Sequence, residues 1–318
     1  MNEPNPILTE SVPLKPKRRP DSFSLLPRRF LLTTFGLLIC FSLPLYNLIR
    51  FALQSELYSY TLLVPFVSVY LFGLNRKNLA PAPFIPNRGA AILLTCAGVG
   101  ALGFFWMVKA SSVQLVQQDS LAIMTLAFVL LLGAVCALFL SRPVFRAAMF
   151  PLVFLLFMIP FPVAMEHAIE TVLQRGSAPP AFWFFKLAGT PVFRHDLIFQ
   201  LPGGMTLQIA PECSGIRSSL VLFITSLIAG HLFLRSPWKR TILTLAVIPL
   251  ALLRNGFRIF TIGELCVHVG PHMIHSPIHH QGGPIFFALS LIPFSLLTFY
   301  LVKSDRTSVR GMKNPVVL

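Results

Sequence analysis

Residues 210–219 read Ala210-Pro211-Glu212-Cys213-Ser214-Gly215-Ile216-Arg217-Ser218-Ser219, and the chain then enters an apolar run over 220–234. The stretch puts a thiol at the mouth of a helix long and apolar enough to enter a membrane, with an arginine one turn further in. A helix N-terminus carries a partial positive charge and free N–H donors, so an anion is stabilised there. A nearby guanidinium favours the thiolate again. In that setting Cys213 reads as a nucleophile rather than as packing, and Arg217, four residues on, shares its face.

The rest of the composition agrees with a membrane setting. Of 318 residues, 55% are hydrophobic and only 12% charged, with 30 phenylalanines; a soluble domain carries roughly twice that charged fraction. The excess of 26 Lys and Arg over 11 Asp and Glu raises nucleic acid as a partner, because basic chains bind phosphate. Here the positive charge sits in short segments between apolar runs, which is the pattern of topology-setting charge, and no nucleic-acid partner is expected. The five cysteines, at 40, 96, 136, 213 and 266, show no CxxC or metal-type spacing. The first three lie inside apolar runs and read as small core residues.

Residues 1–29 are Pro-rich and basic and read as a disordered cytoplasmic tail; 304–318 read as a second one. Between them, apolar segments near the ~20 residues a bilayer requires fall at about 30–50, 57–74, 89–108, 120–141, 144–165, 213–234, 240–262 and 284–302. The first is too long and too late for a signal peptide, and no small-residue cleavage site follows it. Counted over alternate connections, eighteen Lys and Arg fall on one side and eight on the other. That bias places both termini in the cytoplasm. The expected fold is an all-α polytopic membrane protein of about eight transmembrane helices over residues 30–303.

This threading leaves two long connections outside, 166–212 and 263–283, and long ordered loops on a rigid scaffold are where sites tend to lie. The first begins with an amphipathic piece over 166–188, suited to the interface plane. Two strand-like runs around Pro202-Gly203-Gly204 follow and read as a β-hairpin. Together they form an expected extracytoplasmic cap that hands the chain to Cys213.

Two more segments arrive at the same membrane face. The span over 240–262 carries Arg254-Asn255-Gly256-Phe257-Arg258 near its outer end. Two arginines four apart at membrane depth are costly and mark a site unless they snorkel to the interface. The last outer loop holds His268, His272, His275, His279 and His280. Three readings of it compete: a metal site, whose ligands are imidazoles at such spacings; a catalytic imidazole beside the thiol; and an interfacial loop without chemistry. Cys213 and Cys266 also have an alternative reading as a structural disulfide. A thiol, a guanidinium and an imidazole at one rim match acyl transfer: the thiolate attacks a carbonyl, the imidazole moves the proton and the guanidinium steadies the oxyanion.

Three blocks carry a resemblance. Glu212-Cys213-Ser214-Gly215-Ile216-Arg217-Ser218, Arg254-Asn255-Gly256-Phe257-Arg258 and His279-His280-Gln281-Gly282-Gly283 together resemble the exosortase/archaeosortase family over residues 30–303. The resemblance implies a polytopic cysteine transpeptidase of the inner membrane with no cofactor or metal. Its substrates are exported proteins ending in a sorting signal, namely a short PEP-type motif, a membrane helix and a basic cluster. By the family pattern Cys213 is the nucleophile, Arg258 its paired arginine and His279 the third member. His280, Arg217, Arg254, Asn255 and Glu212 take auxiliary places. The competing functions are a metal-binding membrane protein using the histidine loop and a non-catalytic membrane scaffold.

Overall fold

The computed structural model describes residues 27–76, 85–111, 114–211, 214–275 and 282–313. Of the described residues 81% are helical, because the apolar runs must satisfy their backbone groups internally once out of water. In order come α1 (Arg28–Cys40), α2 (Ser42–Gln54), a 3-10 turn (Ser59–Leu62), α3 (Val64–Arg76), α4 (Arg88–Ala110), α5 (Gln117–Phe139) and α6 (Arg142–Phe154). A 3-10 turn (Leu155–Met158), α7 (Val163–Leu187), strands β1 (Phe193–His195), β2 (Ile198–Leu201) and β3 (Met205–Gln208), and helices α8 (Ile216–Phe233), α9 (Pro237–His268) and α10 (Gly283–Lys313) follow.

Among the described residues five helices are long and apolar enough to cross a membrane, and the number reaches seven when each of two bent pairs is taken as one span. The pairs are α1 with α2, bent by 65°, and α6 with α7, bent by 91°. The straight segments read from the sequence over 30–50, 57–74 and 144–165 are thus broken or shortened. Prolines stand at each break: Pro44 and Pro65 in the first turns of α2 and α3, and Pro160 and Pro162 ahead of α7. In those places the missing N–H costs no helical hydrogen bond. Outward faces carry large apolar side chains such as Leu43, Leu53, Phe66 and Leu93, all at least 70% exposed, which only lipid tolerates as a continuous belt.

Polar contacts tie the helix ends into two faces. Near one end Asn75 Nδ2 donates to Ala147 O at 3.1 Å and lies 3.3 Å from His231 Nε2, joining α3, α6 and α8. At this end Asp305 of α10 accepts from the Arg235 N–H at 2.7 Å and pairs with Lys239 at 3.2 Å. Phe30 packs there against Val144 and Phe145, so Arg28, Arg29, Arg142 and Arg146, all exposed, belong to the same face. The other face is built around α7. Asp119 accepts from the Val163 N–H at 2.8 Å, and Gln118 Nε2 donates to Phe161 O at 2.8 Å. These two contacts pin the sharp bend that sends α7 off.

The helix α7 is continuous through Pro179 and Pro180 and runs along the second half of α9. A Cβ on Gly176 would lie 2.9 Å from Leu252, one on Gly256 2.7 Å from Pro180, and one on Gly263 2.4 Å from Phe185. Small residues at these three levels let the two helices approach closely. The expected hairpin is a three-stranded antiparallel sheet in the order β1-β2-β3. The first strand-like run folds on itself at Asp196, which takes φ 53°, so that His195 pairs with Ile198. Phe199, Leu201 and Leu207 of the sheet are buried with Phe185 and Ile259. Each such side chain contributes about 1.5–3 kcal/mol of burial, which seats the sheet on α7 and α9. At the far end α10 runs on to Lys313, so the segment after 303 continues the helix instead of opening as a separate tail.

Gly256→Ala is expected to destabilise the protein by about 1–3 kcal/mol, the usual cost of overpacking, because the added methyl meets backbone at Ala181 N (2.9 Å) and Ser177 O (3.1 Å). Thermal unfolding in detergent measures this, with Gly36→Ala, where no atom lies within 4 Å, as the unaffected control.

Candidate active site

The segment 214–219 enters α8 through a left-handed residue. Ser214 is 1% exposed and its N–H donates to Pro211 O at 2.9 Å. Gly215 then takes φ 71° at the position before the helix, a conformation available to glycine without Cβ strain. A Cβ there would also lie 2.9 Å from Asn255 Oδ1 and 3.0 Å from Arg254 Nη2. The space is short because α9 holds the turn. Arg254 Nη2 donates to Gly215 O at 3.2 Å and to Ser219 Oγ at 3.1 Å, and Asn255 Nδ2 donates to Ser177 Oγ of α7 at 3.1 Å. Arg254 is 6% exposed and Asn255 2%, so this arginine does not snorkel. A second nitrogen of its guanidinium, Nη1, is buried with no hydrogen-bond partner among the described residues.

One turn further along α9, Arg258 lines a cavity of about 550 Å³. Pro211, Ser214, Gly215, Arg217 and Ser218 line it from the start of α8, and Gly283, Pro284 and Phe287 from the start of α10. Residues of all three sequence blocks, from Ser214 through Arg258 to Gly283, therefore meet at one cavity. Glu212, Cys213, His279 and His280 lie outside the described residues. In the last turns of α9, which the sequence reading assigned to a loop, His268 Nε2 pairs with Glu264 at 3.0 Å, and Thr190 Oγ1 donates to the same carboxylate. Among the described residues no three His, Cys, Asp or Glu side chains gather as a metal site.

A family model described as "Transmembrane exosortase (Exosortase_EpsH)" matches residues 52–296. The chain belongs to the transmembrane exosortase family. Membership carries a general activity, that of a cysteine-dependent membrane transpeptidase acting on proteins that bear a sorting signal. No curated protein and no solved structure matches the chain.

In this exosortase the cavity has a second set of charges that the motifs do not announce. Glu56, Glu166 and Glu170 line it together with Arg217 and Arg258. Glu56 Oε2 accepts from Arg217 Nη1 at 3.1 Å, with the two side chains 92% and 55% exposed; pairs so open to water contribute at most about 1 kcal/mol. Glu166 is fixed more firmly, accepting from Tyr58 OH at 2.7 Å and from Gln118 Nε2. Gln118 also donates to Tyr58 OH at 3.1 Å. Sequence reasoning placed Glu166 and Glu170 on an amphipathic helix and passed over Glu56, Tyr58 and Gln118. The available signal was that acidic residues are scarce in this chain, and three of eleven line one cavity.

Gly215→Ala is expected to cost about 1–2 kcal/mol from the left-handed backbone alone, with the contact to Asn255 added. It should lower processing of a tailed substrate at least tenfold at wild-type membrane abundance. Equal processing by the variant would show that the turn need not be held as it is.

Proposed function

We propose that the exosortase cleaves C-terminal sorting signals of exported proteins through a thioacyl intermediate on Cys213, at the outer face of the inner membrane. The observation that carries this reading is the single cavity lined by the start of α8, by Arg258 and by the start of α10. It is lined by Pro211 and Ser214, which bracket Glu212-Cys213, and by Gly283 and Pro284, three and four residues past His280.

In this mechanism the Cys213 thiolate attacks the carbonyl of the scissile peptide bond and a C–S bond forms. The Arg258 guanidinium stabilises the oxyanion as it develops. His279, with His280 as its neighbour, gives a proton to the leaving amine as the C–N bond breaks. An amine acceptor or water then attacks the thioester and regenerates the thiol. Arg254 acts through the backbone, by fixing the turn that carries Cys213 to α9. The pair Asn255–Ser177 extends that fixation to α7, and Glu212 and Arg217 flank the nucleophile.

The chain crosses the bilayer eight times in this reading, with α1 and α2 as one broken crossing, α3 as a short one and α6 with its 3-10 extension as another. Both termini then face the cytoplasm, the side that the arginine-rich helix ends select. A substrate tail with its own membrane helix and basic end lies parallel to the bundle. Confinement to the same plane lowers the entropic barrier to meeting the thiol. The sheet over α7 and α9 restricts water and favours transfer over hydrolysis.

Co-expression with a tailed substrate tests this. Cys213→Ala is expected to abolish C-terminal processing and Arg258→Lys to lower it at least about 100-fold, the scale of losing an oxyanion donor. His279→Ala should exceed His280→Ala in effect, and a thioester adduct should be trapped on Cys213. Undiminished processing by Cys213→Ala would end the proposal.

A further inference from the structure

A second cavity, of about 630 Å³, lies on the other side of the bundle, within the ~300–1,000 Å³ common for ligand clefts. Its wall on the first two helices is a stripe at helical spacing, Phe30, Thr34 and Leu38 on α1 and Leu45, Leu48 and Ile49 on α2. Across from them α3, α5 and α6 contribute mostly apolar side chains. The 65° bend between α1 and α2 keeps this stripe from closing on α3 and α6, so the space is a groove and not a core.

One feature says what fills it. At one end the groove begins at Phe30 and Ala148, and Arg28, Arg29, Arg142 and Arg146 stand in the adjoining turns of α1 and α6, all exposed. Among the described residues the carboxylate on that face is Asp305, already engaged by Lys239 and Arg235. Among the described residues the groove mouth is therefore cationic.

We propose that this groove is a binding site for one anionic phospholipid, its acyl chain along the α1–α2 stripe and its phosphate among Arg28, Arg29, Arg142 and Arg146. The site is independent of the cysteine chemistry, because none of its lining residues borders the active-site cavity. A peptide helix with a basic end is the rival occupant, and the arginine ring repels it.

Native mass spectrometry of the purified full chain, titrated with dioleoylphosphatidylglycerol or dioleoylphosphatidylcholine at equal mole fraction, tests the proposal. The wild type is expected to retain the anionic lipid at least tenfold over the zwitterionic one. Each of R28Q, R29Q, R142Q and R146Q should lower anionic-lipid retention about fivefold, the effect of one basic residue near an anionic surface. Val69→Trp, at a 71% exposed position on the groove wall, should expel both without unfolding the protein. Equal retention of the two lipids by the wild type, retention unaffected by Val69→Trp, or displacement of both lipids by an apolar helical peptide with a lysine-rich end would each overturn it.

Discussion

The buried guanidinium of Arg254 on the Gly215 carbonyl is the contact on which the active site depends. A charge taken out of water is expensive, and it persists only where its donors find acceptors. Here the acceptors belong to the turn entering α8, so the cost of burial is offset by bonds that fix that turn. The left-handed glycine follows from the same contact, because a side chain at 215 would occupy the space of Asn255 and Arg254. The serines at 218 and 219, both hydrogen-bonded to Gly215 O, complete a local network with no room for an alternative geometry.

Around that contact the fold reads as a sequence of supports. Arg254 and Asn255 hold the α8 turn from α9, Ser177 holds Asn255 from α7, and the glycines at 176, 256 and 263 let α7 and α9 touch. The bend that brings α7 there is secured by Gln118 and Asp119 at the start of α5. The same glutamine reaches Glu166 in the cavity. Backbone placement and cavity charge are thus coupled through one short stretch of α5.

The parts legible in the sequence were those written in local periods. Apolar runs of bilayer length gave the helices, and Arg254 and Arg258 were visible because four-residue spacing puts both on one face. What escaped is contact across long separations. Tyr58, Gln118 and Glu166 come together from three elements up to 108 residues apart, and no spacing rule announces such a meeting. Pro179-Pro180 is a pair that ordinarily breaks a helix, yet α7 runs through it, and the facing Gly256 leaves room for the Pro180 ring. The third strand escaped because its turn rests on one aspartate at positive φ in place of a glycine pair.

The charge balance of the active-site cavity bears on how a substrate arrives. Two arginines and three glutamates line it, so the opposing fields nearly cancel beyond a few ångströms, and screening with a Debye length of about 8 Å removes the remainder. Among the described lining residues no one-signed field remains of the kind that speeds association from solution at strongly charged clefts. For a substrate held in the membrane, as proposed, encounter falls to lateral diffusion within the lipid sheet, and turnover follows its surface density more than its bulk concentration.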